Sequence, residues 1–242
     1  MDAIKTIDLT KKYKDTIAVD KLNITVKAGE LFSLLGVNGA GKTTTIKMLS
    51  CLVSPTSGDA LLNGKSILCE SAQIKSFIAV SPQESAIANA LTVYENLKLI
   101  CGIYGLSKDE SETRIYELSN LLVLSSVMKK TAGKLSGGYK RRLSIAMALI
   151  SQPQILFLDE PTLGLDVISR SDLWDIIRSL KGKITIILTT HYMEEAEALS
   201  DRVAIMKEGK LLICDNVDNI KSLTGTDRFE EAFIRIVKEE NT

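Results

Sequence analysis

The chain has 242 residues, 45% of them hydrophobic, which is enough to bury one sizeable core. Lys and Arg together equal Asp and Glu at 30 each, so the formal net charge is zero and no basic excess favours a nucleic-acid partner. Residues 1–5 do not resemble a signal peptide, and every apolar run is far shorter than the ~20 residues of a membrane span. We therefore expect a soluble, cytoplasmic chain.

The four cysteines are widely scattered along the sequence, at Cys51, Cys69, Cys101 and Cys214. No two have the spacing of a zinc site or of a redox pair. We expect each to be a small buried side chain in a reducing compartment.

Short apolar runs alternate with segments of helical periodicity, a pattern that predicts an α/β fold with a largely parallel sheet. The runs cover residues 31–35, 77–80, 155–158, 184–188 and 203–206. Turns between strands are expected at Ala28-Gly29, Asn63-Gly64 and Glu208-Gly209, and Asn-Gly is the strongest hairpin signal of the three. The first 30 residues and residues 59–68 should then form a smaller antiparallel β element beside the main sheet.

Residues 89–151 carry helical spacing, notably at 91–97 and 112–124, and contain no convincing strand. We expect a helical subdomain over residues 84–151, inserted into a catalytic core made of residues 1–83 and 152–242. The tail from Asp218 carries a helical stripe at Phe229, Phe233 and Ile236.

A glycine-rich loop follows the first apolar run and precedes a helical segment at 44–49. This strand-loop-helix setting, with Lys and Thr closing the loop, is that of a P-loop, whose backbone N–H groups and helix N-terminus bind phosphate oxygens. Lys42 would reach the phosphates, and the Thr43 hydroxyl would bind Mg²⁺. The predicted loop consists of Gly36, Val37, Asn38, Gly39, Ala40, Gly41, Lys42, Thr43 and Thr44.

Two carboxylates, Asp159 and Glu160, end the apolar run at 155–158. Ligands of open parallel sheets bind at the carboxyl ends of the strands, where this pair should emerge. Asp159 suits Mg²⁺ and Glu160 suits polarisation of an attacking water.

Leu135, Ser136, Gly137 and Gly138 precede another helical segment and predict a second anion-binding helix N-terminus. Two such sites in one chain either hold different phosphates, or one chain completes the site of another.

The chain resembles the ATP-binding cassette (ABC) ATPases over nearly its full length, with the motifs in the family's order. Residues 36–43 resemble the Walker A motif, 155–160 Walker B, and 135–138 the signature. The other matches are Gln83 with the Q-loop glutamine, Leu165-Asp166 with the D-loop, His191 with the switch histidine, and Tyr13 with the aromatic residue that stacks on adenine.

The resemblance implies a head-to-tail dimer, of two copies or of this chain and a related ATPase subunit. Each ATP would lie between the P-loop of one subunit and Ser136, Gly137 and Gly138 of the other, with Asp166 nearby. The implied catalytic residues are Glu160, His191 and Gln83; the implied Mg²⁺ ligands are Thr43, Gln83 and Asp159. ATP binding closes such a dimer and hydrolysis opens it.

Tyr139 after the signature, Gly164 in the D-loop, and residues 91–97 with 102–105 resemble the drug- and ion-export branch of the family. In that branch the ATPase is a separate chain that pairs with an ABC type-2 membrane permease at the cytoplasmic face of the membrane. We expect docking near residues 84–105, where Ile87, Leu91 and Tyr94 either form the docking face or pack internally.

Two other functions agree less well with the sequence. A soluble cassette ATPase acting on ribosomes or DNA would usually carry two cassettes, a coiled-coil insertion or zinc-binding cysteines, which are absent from this sequence. An unrelated GTPase would need Asn-Lys-x-Asp, which does not occur, and a small-molecule kinase has no need of Leu-Ser-Gly-Gly.

Overall fold

The structure is a computed structural model that describes residues 1–84 and 86–239. The strands in that part of the chain are β1 (Asp2–Tyr13), β2 (Thr16–Leu22), β3 (Thr25–Lys27), β4 (Leu31–Leu35), β5 (Ser57–Leu62), β6 (Lys65–Ser66), β7 (Ile78–Ser81), β8 (Ile155–Asp159), β9 (Thr185–Thr190), β10 (Arg202–Lys207) and β11 (Lys210–Asp215). The helices are α1 (Lys42–Leu49), α2 (Ser71–Phe77), α3 (Val93–Ile103), α4 (Lys108–Leu121), α5 (Gly137–Leu149), α6 (Val167–Leu180), α7 (Met193–Leu199), α8 (Val217–Thr224) and α9 (Phe229–Glu239).

The main sheet has the strand order β11-β10-β4-β9-β8-β7. Its pairings are parallel except that of β10 with β11, which closes through the predicted turn at Glu208-Gly209. Every residue of β4, β8 and β9 is buried, as expected of strands covered by helices on both faces. The predicted α/β class is therefore confirmed.

The second sheet joins β1, β2, β3, β5 and β6 in antiparallel pairs. Asn63 and Gly64 form the predicted hairpin turn between β5 and β6, and both have positive φ angles. The turn at Ala28-Gly29 instead leads from β3 in this sheet to β4 in the main sheet.

Between β7 and β8 the described residues form helices, turns and one isolated β-bridge, Thr92 with Thr131. Helices α3 and α4 of this region each begin with a capping box, made by Thr92 and Glu95 at α3 and by Ser107 and Glu110 at α4. The limits given above for the helical subdomain stay a prediction.

The tail forms α8 and α9, and Phe229 and Phe233 of the predicted stripe pack with Leu35 in a buried cluster. Residues 240–242, the end of the tail, lie outside the described residues. The expectation for the cysteines is wrong in part: Cys101 is buried, Cys51 and Cys214 are half-buried, but Cys69 is exposed. Cys69 lies at the surface shortly before α2, and the sequence carries no sign of which apolar residues there face solvent. Among the described helices, none has the length and apolar character needed to cross a bilayer.

Candidate functional site

The phosphate loop lies between β4 and α1, and its shape requires glycine. Gly39 and Gly41 have φ angles of 85° and 99°, in the left-handed region. A Cβ on Gly41 would lie 2.4 Å from the carbonyl oxygen of Ala18, whereas a Cβ on Gly39 would meet no atom within 4 Å. The loop is therefore closed tightly against β2 and open on its other side.

Helix α1 begins at Lys42 without a side-chain cap. Within the described residues, the backbone N–H groups of Lys42, Thr43 and Thr44 donate to no acceptor. Free N–H groups at the positive end of a helix dipole bind phosphate oxygens well. The observed loop fits a nucleotide polyphosphate.

A cavity of about 510 Å³ opens over this loop. It brings together one continuous stretch of the predicted loop with three residues from other strand ends: Gln83 after β7, Glu160 after β8 and His191 after β9. The loop residues that line it are Asn38, Gly39, Ala40, Gly41, Lys42, Thr43 and Thr44. Gly36 and Val37, the first two residues of the loop, do not line the cavity, and their carbonyl oxygens accept hydrogen bonds from Lys42 Nζ at 2.7 and 3.2 Å.

Lys42 is buried, and its Nζ lies 3.7 Å from Oε1 of Glu160. Burial lowers the pKa of Lys42, and the nearby charges of Glu160 and Asp159 oppose that change. Its ammonium is held by two carbonyls and one acid at the floor of the cavity, close to the free N–H groups of α1.

Thr43 and Asp159 provide oxygen atoms that suit Mg²⁺. The Thr43 hydroxyl donates to Oδ1 of Asp159 at 3.1 Å, and the Thr189 hydroxyl donates to the same oxygen at 2.5 Å. In the described part of the chain, no group of three or more His, Cys, Asp or Glu side chains could hold a metal. The Thr43 hydroxyl and the Asp159 carboxylate suit Mg²⁺, which binds through one or two protein oxygens together with phosphate and water.

Glu160 is a buried acid with a positive φ angle of 47°. Non-glycine residues in this conformation cost about 1–3 kcal/mol, which neighbouring contacts must offset. Its N–H donates to the carbonyl and to the hydroxyl of Thr189, at 3.1 and 3.0 Å. Its second carboxylate oxygen lies 3.2 Å from Nδ1 of His191, although the angles there are not those of a hydrogen bond.

The cavity is not lined by Tyr13, by the signature residues 136–138 or by Asp166. Tyr13 ends β1 with 44% of its surface exposed and with Lys11 Nζ 5.1 Å from its ring centre. Asp166 caps α6, accepting from the N–H and hydroxyl of Ser169 at 2.9 and 2.7 Å, and these hydrogen bonds lower the pKa of Asp166.

Ser136, Gly137 and Gly138 form the start of α5, which, like α1, has no side-chain cap. The N–H groups of Gly137 and Gly138 donate to no acceptor in the part of the chain described. A Cβ on Gly138 would lie 2.9 Å from the Ser169 hydroxyl, so glycine is needed where α5 meets α6. Within the described part of the chain, α1 and α5 thus both have glycine-rich helix N-termini without a side-chain cap, and α1 lines the cavity whereas α5 does not.

The sequence did not predict the roles of Arg141 and Thr189, which contact the site, or the burial of the acid Glu195. Arg141 donates to main-chain carbonyls around Glu160. The Thr189 hydroxyl donates to the Asp159 carboxylate and accepts a hydrogen bond from the Glu160 N–H. Glu195 is fully buried on α7, accepts from the indole N–H of Trp174 at 3.1 Å, and has its pKa raised by burial. Their buried positions depend on tertiary packing, for which the sequence carries no local signal.

The chain is similar to a known protein family, to curated relatives and to solved structures. The family described as "ABC transporter" matches residues 19–163. The chain is 38% identical over 240 residues to the "Probable multidrug ABC transporter ATP-binding protein YbhF" of Escherichia coli, covering 97% of this chain and 41% of that protein. It is 40% identical over 224 residues to the "Doxorubicin resistance ATP-binding protein DrrA" of Mycobacterium tuberculosis H37Rv, covering 92% of this chain and 67% of that protein.

Among solved structures, the fold is similar to a dimeric, post-hydrolysis state of the ATP-binding cassette MJ0796 bound to ADP and Pi. The TM-score is 0.79 at 26% identity, with 88% of this chain and 98% of that chain covered. This chain spans only about two fifths of the length of the Escherichia coli relative.

Proposed function

The chain belongs to the ABC transporter family, and on that basis we propose that it is the ATP-hydrolysing subunit of a membrane transporter. The observation that carries the proposal is the position of Glu160. Its carboxylate lies at the phosphate loop with Lys42 on one oxygen and His191 on the other. A carboxylate so placed suits proton abstraction from a water directed at a terminal phosphate.

Each residue at the cavity has a separate proposed role in hydrolysis. Lys42 and the free N–H groups of α1 would bind the phosphate oxygens. Glu160 would accept the proton of the attacking water, and His191 would donate a hydrogen bond to a phosphate oxygen. Thr43, Asp159 and Gln83 would hold Mg²⁺, which when bound neutralises phosphate charge.

The second uncapped helix N-terminus supports the proposal of a head-to-tail dimer. Ser136, Gly137 and Gly138 lie outside the cavity of their own chain, so a second subunit must present them if they are to contact the same ATP. The partner is either another copy of this chain or a related ATPase subunit. The dimeric cassette bound to ADP and Pi is consistent with this arrangement. Tyr13, exposed at the end of β1, is available to stack on the adenine base.

The proposed membrane partner is an ABC type-2 permease, and the direction of transport is export. The relatives named for multidrug transport and doxorubicin resistance support this branch. In this proposal the chain works at the cytoplasmic face of the membrane through its permease.

The expected docking residues Ile87, Leu91 and Tyr94 are half-buried. Ile87 and Tyr94 pack against a buried core cluster, and docking through these three residues stays a prediction. An apolar groove of about 390 Å³ lies where α3 meets β7 and α5. Its rim carries Leu52, Ile103 and Tyr104, which are 64%, 69% and 50% exposed. We propose that this groove receives the permease.

Two measurements test the proposal. The purified chain should hydrolyse ATP in the presence of Mg²⁺, and absence of hydrolysis both alone and with its permease would refute the enzymatic function. Ile103→Glu should abolish co-purification with the permease from solubilised membranes while nucleotide binding persists. Leu223→Glu is the matched control, because Leu223 is equally exposed at 71% but lies on α8. Equal retention of the permease by both variants would overturn the docking assignment.

A further inference from the structure

Arg141 is a buried cation on α5, three residues after the glycines that start this helix. Its guanidinium forms four hydrogen bonds, all to main-chain carbonyl oxygens. Nε donates to Pro161 at 2.7 Å and Nη1 to Pro82 at 2.6 Å. Nη2 donates to Asp159 at 3.3 Å and to Glu160 at 2.5 Å.

Three of these carbonyls belong to consecutive residues, 159–161, at the end of β8 and the start of the turn that follows it. Glu160 has its positive φ angle within this turn, and the N–H of Glu160 is bound on the other side by Thr189. Arg141 and Thr189 therefore hold the backbone on both sides of the Glu160 Cα atom. The direction of the Glu160 carboxylate follows from that backbone conformation.

The fourth carbonyl, that of Pro82, belongs to the residue immediately before Gln83. The same face of α5 carries Ser144, whose hydroxyl lies 3.0 Å from that of Ser81 at the end of β7. One guanidinium thus joins the helix that begins at the signature, the segment that leads to Gln83, and the turn that carries Glu160.

The neighbouring Arg142 shows what an ordinary structural arginine looks like on this helix. It is buried to a similar degree, but it pairs with the carboxylate of Asp172 at 2.7 Å and lies over the Tyr139 ring. Arg141 has no carboxylate within ion-pair distance among the described residues. Burying a cation without a paired anion is costly, so the carbonyls of the turn must offset the loss of water.

From this geometry we infer that Arg141 is a positioning residue for ATP hydrolysis: it fixes the turn around Glu160 so that the Glu160 carboxylate is aimed into the cavity. The inference rests on the proposed ATPase function. Arg141 itself does not line the cavity.

The test compares Arg141→Met, Arg141→Lys and the control Arg142→Met, which removes a buried guanidinium from the same helix. Misplacement of a catalytic group by about 1 Å can reduce turnover ~100-fold. Arg141→Met should therefore lower kcat by roughly 10–100-fold while KM for MgATP and the binding of a fluorescent ATP analogue change less than about twofold. Arg142→Met should lower kcat much less. Lys carries a point charge without the planar fork, so Arg141→Lys should recover only part of the loss.

A sharper test asks whether the effects of substituting Arg141 and Glu160 on the rate of hydrolysis are additive. If Arg141 acts by aiming Glu160, adding Arg141→Met to Glu160→Gln should not reduce the residual single-turnover rate further. Adding Arg142→Met should reduce that rate by the same factor as in the native background. If Arg141→Met lowers the single-turnover rate of Glu160→Gln by the same factor as it lowers the native rate, the inference is overturned. Native kcat in both Arg141→Lys and Arg141→Met would also overturn it. If Arg141→Met does not fold, the kcat of Arg141→Lys is the test: a kcat below the native value supports the inference, and a native kcat overturns it.

These outcomes are separable from failure of the proposed function. If the native chain does not hydrolyse ATP with its permease, the proposed ATPase function is wrong. If the native chain hydrolyses ATP and the Arg141 variants do so at the same rate, only the role of Arg141 is wrong.

Discussion

The hydroxyl of Thr43 lies 3.1 Å from Oδ1 of Asp159, although 116 positions separate the two residues in the chain. Thr43 lies in the first turn of α1 after β4, and Asp159 ends β8, two strands away in the main sheet. Strand β9 lies between them and supplies Thr189, which binds the same carboxylate oxygen. The order of the parallel strands therefore assembles the proposed Mg²⁺ ligands beside the phosphate loop.

Lys42→Ala should weaken ATP binding by roughly 10–100-fold, because charge-assisted hydrogen bonds to phosphate are worth about 1.5–3 kcal/mol each. Titration with a fluorescent ATP analogue measures the change. Lys47→Ala is the control, since Lys47 lies on the same helix and is exposed. Equal affinities in the two variants would show that Lys42 does not contact the nucleotide.

Glu160→Gln should bind ATP normally and hydrolyse it at least ~100-fold more slowly, since Gln cannot accept the proton of the attacking water. The unhydrolysed nucleotide should then trap a dimer, which size-exclusion chromatography with ATP would detect. Glu194→Gln, an exposed acid on α7, should behave as the native chain. Full turnover in Glu160→Gln would remove Glu160 from the chemistry.

The loop and the acid pair could be predicted because each depends on local sequence. Three glycines and a Lys-Thr pair between an apolar run and a helix leave few alternatives, and an apolar run that ends in two acids places them at a strand end. The buried strands β4, β8 and β9 follow from uninterrupted apolar and β-branched residues in the same way.

Arg141 and Glu195 could not be predicted, for a common reason. Each lies in a short run of like charges, Lys140-Arg141-Arg142 or Glu194-Glu195, which is typical of a solvated helix face. Only the packing of α5 on the ends of β7 and β8, and of α7 on α6, decides which member of the run points inward. The position of the signature relative to the cavity likewise depends on tertiary structure.

Ser136→Arg should abolish hydrolysis while each separate chain still binds ATP, because Ser136 lies outside the cavity of its own subunit. Equilibrium binding at low protein concentration, where the chain is monomeric, measures the second half of this prediction. Ser76→Arg on α2 controls for an added exposed arginine. Loss of ATP binding by the Ser136→Arg monomer would indicate a site completed within one chain.

Glu195→Gln should stabilise the chain, and the gain should grow as the pH rises. Burial raises the pKa of Glu195 above its ordinary 4.5, so the folded state retains a proton that the unfolded chain has already released. The free energy of unfolding of the native chain therefore decreases as the pH rises from 4.5 to the raised pKa. The variant has no carboxyl at this position, so its stability does not decrease for this reason.

Urea denaturation over a pH series measures this difference, with the exposed Glu197→Gln of the same helix as the control. The amide oxygen that Glu195→Gln introduces can still accept from the indole N–H of Trp174, so the indole contact is kept. The buried carboxyl would be ionised in the folded state if the difference in the free energy of unfolding between variant and native chain did not change with pH. The same conclusion would follow if the native chain became more stable relative to the variant as the pH rises.

The most direct test of the shared site mixes two inactive variants, Ser136→Arg and Glu160→Gln. In a mixed dimer, the intact cavity of the Ser136→Arg chain meets the intact signature of the Glu160→Gln chain, and one complete site forms. With random pairing at equal amounts, half of the dimers are mixed and each has one good site of two, so about a quarter of native activity should return. A mixture whose rate is merely the sum of the two separate rates would contradict hydrolysis between two chains.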